Sequence, residues 1–331
     1  MKRKLLVIGI GSIGKRHISN FKKYFKEIYI LDNRPDRLKE ACSLFNITGH
    51  FQSLNKALSF TNYDTCLICT PPSSHLGIAL KCVQKGIPIF IEKPLGMSCK
   101  GWKQVSDICK RKKLVNYVAY CHRFINYTND FLKILKNKKK IGKIYSINLN
   151  WCSYLPNWHP HEKYTNFYMA KKEQGGGALL DDSHGIDLIR YFFGEVKKVS
   201  ARIYNLSELK LTSDDSFYGF FEMKNNAVVQ IKFELFSRIN DISITVHSSN
   251  GTFIWDRVNH QIVMKEKNKK IKIKRYKLNN LMNMYTDQTK FYFNLLKKNK
   301  KHFNTIEDAL NTQKIIDKCF LSSKKRRIVN V

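Results

Sequence analysis

The stretch KLLVIGIGSIGKRHISNF (residues 4–21) constrains the fold more than any other. An apolar strand, Leu5–Ile8, runs directly into Gly9, Gly11 and Gly14, and a helical pattern follows. In G-x-G-x-x-G the first glycine permits a tight turn, and the second lets backbone approach a pyrophosphate. The third allows helix and strand to pack closely, with phosphate at the helix N-terminus. Ser12 and Ile13 lie inside this loop. A second strand, EIYILDN, ends on Asp32 and Asn33, where an acidic group hydrogen-bonds a ribose 2′-hydroxyl. A carboxylate there repels a 2′-phosphate, so NAD is expected over NADP; Arg34 and Arg37 keep NADP open.

Strands and helices then alternate. RPDRLKEACSLFN reads as helix, Phe51 as a short strand, LNKALSF as helix and YDTCLICTPP as strand. SSHLGIALKCVQKG and IPIFIEK continue the pattern, which predicts a parallel, doubly wound sheet. Ligands bind beyond the carboxyl ends of such strands. That rule gathers the glycine loop, Asp32, the segment holding Thr70, Pro71, Pro72 and His75, and Glu92-Lys93-Pro94 around one crevice. Lys93, at the mouth of an apolar strand, thus sits beside a cofactor, which favours chemistry over a salt bridge.

With 331 residues and 43% hydrophobic content, the chain is globular and long enough for two domains. No run approaches the roughly 18 apolar residues of a membrane span. The start imitates the basic and apolar regions of a signal peptide, but glycine interrupts the apolar run and no small-residue cleavage site follows. Nine scattered cysteines fit core residues in a reducing cytoplasm. Cys66 and Cys69, on one strand, point to opposite faces, and no metal site is expected. Basic residues outnumber acidic ones 59 to 26, a net charge of +33. Such an excess attracts anions. Its short runs (110–113, 136–140, 324–327) read as solvated faces, and no nucleic-acid motif accompanies them.

After residue 121 the pattern changes. A helix, Tyr127–Lys136, precedes strands joined by short turns, which predict an α+β domain over 122–331 with a large, mostly antiparallel open sheet and a closing helix near 305–323. Before most of these strands comes EQGGGALLDDSHGIDLIRYFFG. It reads as one helix capped by Gly194, carrying Asp181, His184 and Asp187 as a polar stripe on an otherwise apolar surface. The stripe is either a solvated face or a carboxylate beside a histidine placed as a general base. Arg123, after the last strand of the first domain, suits bidentate binding of a phosphate or carboxylate on the substrate. Tyr154, Trp158, His159 and Tyr164 offer flat rings for a sugar or base, or simply pack a loop.

These motifs together (the glycine loop, CTPPSSH, EKPLG, GGGALLDDSHGID and the closing TIEDALNTQKIIDKCFLSSKKRR) resemble the Gfo/Idh/MocA oxidoreductase family, named for glucose–fructose oxidoreductase and inositol dehydrogenase. The resemblance covers nearly the whole chain. It implies that E-K-P lines the nicotinamide end of the cofactor, often with a cis bond before its proline. It further implies that Lys93 contacts the hydroxyl being oxidised and that a carboxylate–histidine pair handles the proton. His184 matches the family histidine and Asp187 the aspartate three positions on. The family's usual catalytic aspartate lies four residues before the histidine, where this chain has Leu180; counted from the triple glycine, Asp181 matches. This spacing, and SYLPNWHPHEKY (153–164), resemble the branch acting on surface-polysaccharide sugars. The implied activity is an NAD-dependent dehydrogenase of a sugar or nucleotide-sugar, in a homodimer or tetramer. An inositol or polyol dehydrogenase is the alternative, and so is a non-catalytic NAD-binding regulator, which would be expected to have lost Lys93 or His184.

Overall fold

The computed structural model describes residues 3–158, 162–277, 279–298 and 302–331. His159, one of the rings expected to meet substrate, lies outside them. By its internal contacts the chain forms two compact units.

The first unit, Met1–Tyr120 with Tyr285–Asn311, contains the predicted parallel sheet. Its strands are β1 (Lys4–Ile8), β2 (Glu27–Leu31), β3 (Gly49–Phe51), β4 (Thr65–Ile68), β5 (Ile89–Ile91) and β6 (Asn116–Val118), in the order β3-β2-β1-β4-β5-β6. Helices α1 (Ser12–Phe21), α2 (Pro35–Leu44), α3 (Leu54–Phe60), α4 (Pro72–Gln84) and α5 (Trp102–Arg111) connect them. Prolines open α2 and α4, where a missing N–H costs nothing and the fixed φ suits a helix. Strands β1, β2, β4 and β5 are buried on both faces, as their near-continuous apolar runs require. On one face Trp102, Val105 and Cys82 pack against Ile89 and Ile91.

The other face accounts for a difference from the division at 121/122. The segment Tyr285–Asn311 belongs by contacts to the first unit. It holds much of a helix later called α10, whose Tyr292 packs edge-on against Phe90 at 5.2 Å and against Phe21 at 6.2 Å. The Tyr292 hydroxyl lies 2.6 Å from Thr65 Oγ1. An apolar sheet face has to be covered, and the residues that cover this one come from late in the sequence. The chain then seals the sheet edge, where the Val118 N–H donates to the Asn304 carbonyl (2.8 Å) and the Ile306 N–H to Asn116 Oδ1 (2.8 Å).

The second unit, Cys121–Met284 with Thr312–Val331, is built on a nine-stranded sheet. Helices α6 (Asn126–Lys136) and α7 (Lys138–Ile141) lead into β7 (Ile144–Tyr154). Two helical pieces follow, α8 (Ala178–Asp181) and α9 (Ser183–Phe193). Then come β8 (Val196–Tyr204), β9 (Ser216–Met223), β10 (Val228–Glu234), β11 (Phe236–Ser248), β12 (Gly251–Asp256), β13 (Gln261–Glu266) and β14 (Lys272–Arg275). Helices α10 (Asn279–Lys298) and α11 (Ile306–Lys325) and a short β15 (Val329–Asn330) end the chain. The order is β14-β13-β12-β11-β7-β10-β9-β8-β15, antiparallel throughout except for β7 beside β10.

Alternation decides the two faces of this sheet. Leu149, Trp151, Ile231, Phe233, Ile244 and Trp255 point into the core beneath the helices. The closest approach is at Gly185 of α9, where a Cβ would lie 2.8 Å from the Phe233 ring. The opposite face carries a registered row, Phe220, Gln230, Asn148, Thr245, Ile254, Val263 and Ile273, with Phe220 and Ile273 exposed. Among the described residues no helix is long and apolar enough to cross a membrane.

Candidate functional site

In the first unit, the segments expected to meet a cofactor all leave the carboxyl edge of the parallel sheet. Their backbones stitch to one another there: the Gly9 N–H donates to the Leu31 carbonyl (2.8 Å), Cys69 N–H to Ile8 (2.7 Å) and Glu92 N–H to Ile68 (2.9 Å). Gly9 has φ +90°, and a Cβ on it would sit 2.7 Å from the Cys69 carbonyl oxygen. A Cβ on Gly14 would meet the Gly9 carbonyl at 2.1 Å, so helix and turn touch only because both residues lack one. Gly11 is open by contrast, its nearest neighbour being Arg37 Nη1 at 3.8 Å. This open cradle at the start of α1, flanked by Ser12 and Ile13, fits a dinucleotide pyrophosphate.

Asp32 is buried at the end of β2 and rigidly held. Its Oδ2 accepts the Ile10 N–H (2.7 Å), its Oδ1 accepts the Arg34 N–H (2.9 Å), and Arg37 Nη1 stands 3.9 Å away. Asn33 follows it, its carbonyl accepting from the Gln52 side chain (3.3 Å). The Arg34 fork is turned to Asp36, holding that carboxyl below its usual range through the hydrogen bond.

Thr70, Pro71 and Pro72 form the turn from β4 into α4, and the Thr70 hydroxyl accepts from Ser74 Oγ (2.7 Å). His75, expected to line the cofactor, is turned to the protein's own backbone. Its ring is fully buried, with Nε2 2.7 Å from the Thr70 carbonyl and Nδ1 3.1 Å from the Pro94 carbonyl. Burial pushes its imidazole below the usual range, outweighing the carbonyls that favour a proton. It staples the loop after β4 to the loop after β5.

Lys93 is half-buried directly beyond β5, and the Lys93–Pro94 peptide is cis. Glu92 Oε1 lies 2.6 Å from Nε2 of the buried His17, and Oε2 accepts the Lys93 N–H (3.2 Å). His17 escaped the sequence reading. Its only signal is its place three residues after Gly14, on the buried side of α1.

In the second unit, Asp181, His184 and Asp187 are 3%, 8% and 1% exposed, which excludes the solvated-stripe reading. The continuous helix expected from residue 178 is interrupted at Asp182, between α8 and α9, and the three side chains have separate partners. Asp181 Oδ1 accepts from the Tyr168 hydroxyl. Asp187 takes both arms of the Arg123 fork, Nε at 2.8 Å and Nη2 at 2.6 Å. His184 lies face to face with His122, centroids 4.2 Å apart and planes within 2°. Trp151 lies nearly parallel to both, 5.1 Å from His122 and 6.2 Å from His184.

Two expectations change here. Arg123, expected to reach a substrate anion, is buried against Asp187 of the predicted polar stripe, because a guanidinium taken out of water needs a carboxylate in its plane. Of the rings, Tyr154 lies under the Arg238 guanidinium at 3.8 Å, Trp158 Nε1 donates to Ser153 Oγ (3.1 Å), and the Tyr164 hydroxyl accepts the Lys210 N–H (3.1 Å). These contacts hold a folded loop together. The donor atoms of Cys121, His122 and His184 lie within 4.8 Å of one another. Their geometry does not suit a shared ion, because in stacked, parallel imidazoles the in-plane lone pairs run side by side and do not converge.

The helix entrance has its own anchor. Asp214 Oδ2 accepts the Leu179 N–H (3.0 Å), and the Ala178 N–H donates to the Asp214 carbonyl (3.0 Å). The turn wraps its carboxyl, and the loss of water pushes its pKa up to about 6.

Residues 3–120 match the family model described as "Oxidoreductase family, NAD-binding Rossmann fold", and residues 135–331 match its companion, "Oxidoreductase family, C-terminal alpha/beta domain". Among curated proteins, the myo-inositol 2-dehydrogenase of Thermotoga maritima is 25% identical over 192 residues, 57% of this chain and 54% of that protein. The matched region thus spans just over half of that relative's length. Among solved structures, a levoglucosan dehydrogenase in complex with NADH superposes with a TM-score of 0.86 at 19% identity, covering 100% of this chain and 99% of its own. The WlbA dehydrogenase of Bordetella pertussis, in complex with NADH and UDP-GlcNAcA, superposes at 0.84 with 20% identity, covering 100% and 99%.

The Asp214 carboxyl gives a pH test with a fixed sign. Its folded pKa is raised, so its contribution to stability is fullest below the ordinary carboxylate range and is lost as pH rises through about 4 to 6. Asp214→Asn keeps an oxygen for the Leu179 N–H and removes the buried charge. Its stability relative to the parent should rise by roughly 1–3 kcal/mol between pH 4 and pH 7 in urea unfolding. A difference that stays constant over that range would contradict the assignment.

Proposed function

Because the chain belongs to the Gfo/Idh/MocA oxidoreductase family, we propose that it is an NAD-dependent dehydrogenase oxidising a secondary hydroxyl of a sugar or nucleotide-sugar. The observation that carries this reading is His184. It is an ionisable side chain buried on α9, flanked by two near-parallel rings, in a chain that also keeps Lys93 and an open glycine cradle. A non-catalytic regulator has no use for that combination.

NAD, when bound, supplies the hydride acceptor. The Gly9–Gly14 loop holds its pyrophosphate and Asp32 a ribose hydroxyl. The Lys93 ammonium hydrogen-bonds the substrate oxygen and stabilises the negative charge that develops as its proton leaves. Neutral His184 accepts that proton. Asp181, whose Oδ1 accepts from the Tyr168 hydroxyl, lies three residues before His184 and helps to place the start of α9. Glu92, locked by His17, fixes the backbone that presents Lys93.

The finer reading, a nucleotide-sugar used in surface-glycan synthesis, is supported by the net charge of +33 and by the fold shared with a dehydrogenase crystallised with UDP-GlcNAcA. Arg123 no longer contributes to it, being committed to Asp187. An inositol or polyol substrate is the second reading, favoured by the myo-inositol 2-dehydrogenase relative. The nine free cysteines suit a reducing cytoplasm. The bare sheet face, with Tyr204, Phe220 and Ile273 exposed, suits a homodimer or tetramer interface. Light scattering that finds only a 38.8 kDa species at micromolar concentration would rule that assembly out.

A screen of NADH formation with myo-inositol, levoglucosan, free hexoses and UDP-sugars tests the activity. Lys93→Ala and His184→Ala should each lower turnover by ~100-fold or more while NAD affinity changes little. Near-normal rates in either variant would overturn the assigned roles. Calorimetry should also show NAD(H) binding more tightly than NADP(H), since Asp32 is fixed by two backbone N–H groups where a 2′-phosphate would lie. Equal or tighter NADP binding would mean that Arg37 overrides the carboxylate.

A further inference from the structure

We infer that His122 is a positioning residue for His184: it sets the plane of the general base by stacking on its ring. The inference rests on the proposed role of His184 as proton acceptor. The two imidazoles stack with centroids 4.2 Å apart and planes within 2° of parallel, so each ring hinders rotation of the other about its Cβ–Cγ bond.

His122 can serve as a template because its own place in the fold is fixed. It lies in the short turn Cys121–Phe124, with Trp151 of β7 beside its ring at 5.1 Å and 21°. Its neighbour Arg123 is bound to Asp187 by two charge-assisted hydrogen bonds, 2.8 and 2.6 Å long. Asp187 is on α9, three residues after His184, so one buried ion pair fixes the turn that carries the first ring to the helix that carries the second. His122 itself exchanges no proton with substrate.

Two variants of the full-length protein separate positioning from bulk structure. His122→Ala removes the ring, and His122→Phe keeps a flat ring of similar thickness. With the best substrate among myo-inositol, levoglucosan and UDP-GlcNAcA, His122→Ala should lower kcat by ~10-fold or more, the scale of a misplaced catalytic group. KM for NAD should stay within about twofold of the parent, and His122→Phe should recover kcat to within about threefold. The second readout needs no substrate. In protein labelled at histidine, the His184 ring resonances, assigned by their loss in His184→Ala, should move downfield and broaden in His122→Ala. In His122→Phe they should stay shifted upfield by the ring current.

Unchanged His184 resonances in His122→Ala, or a kcat that falls equally in both variants, would overturn the inference. Loss of turnover in His184→Ala alone, with His122→Ala fully active, would leave the proposed function standing and remove this one. A parent protein that turns over none of these substrates, with the resonance shifts as expected, would remove the proposed function and, with it, the role of His122 in positioning a base.

Discussion

The ion pair between Arg123 and Asp187 is the constraint on which the second unit's candidate site depends. Both side chains are out of water, and neither charge is tolerable without the other; breaking such a pair costs about 3–5 kcal/mol because a bare charge is left behind. Its geometry matters more than its net energy. Two parallel hydrogen bonds allow one relative placement of the 121–124 turn and α9, which a single bond would leave free to pivot. The stacked histidines sit next to that lock in sequence, His122 one residue before Arg123 and His184 one helical turn before Asp187. Packing supplies the remaining restraint, since Gly185 lets α9 lie directly on Phe233 and Leu149 of the sheet.

The first unit follows the same logic with backbone N–H groups and an imidazole as partners. Asp32 is held by the N–H groups of Ile10 and Arg34, and Glu92 by His17 and the Lys93 N–H. A carboxylate at a strand end is useful to a ligand only when its orientation is settled beforehand, because freezing it on binding would cost side-chain entropy. In both units buried side chains, His17 and Glu92 in the first and Arg123 and Asp187 in the second, support the groups assigned to chemistry. The loop with Tyr154, Trp158 and Tyr164 lacks this character, its polar contacts being to Arg238, Ser153 and the Lys210 backbone.

Local pattern made much of this legible. The glycine loop, the alternation of strands and helices, and the period-two strands of the second half are short-range signals, and each was readable from neighbouring residues. Asp32, Lys93 and His184 were legible for the same reason, since each stands at a fixed offset from a glycine motif or a strand end. What escaped were pairings between distant segments. His17 meets Glu92 across 75 residues, and Arg123 meets Asp187 across 64. His122 had no motif to mark it, because its significance comes only from the ring it faces. The carbonyl partners of His75 were equally hidden, because a histidine after a proline turn looks the same in sequence whether it faces a ligand or a pair of carbonyls.

The sequence by itself determined the two kinds of sheet and the glycine loop, and it marked the residues of the candidate site, because backbone periodicity and glycine sterics act within a few residues. Only the tertiary structure decided which polar groups are spent on the protein itself. Arg123 and His75 are of that kind, and so are the late residues around Tyr292 that complete the first unit's core. The physical reason is desolvation. A buried charge or imidazole must be matched by whatever group folding brings beside it, and composition and spacing along the chain carry no record of that neighbour.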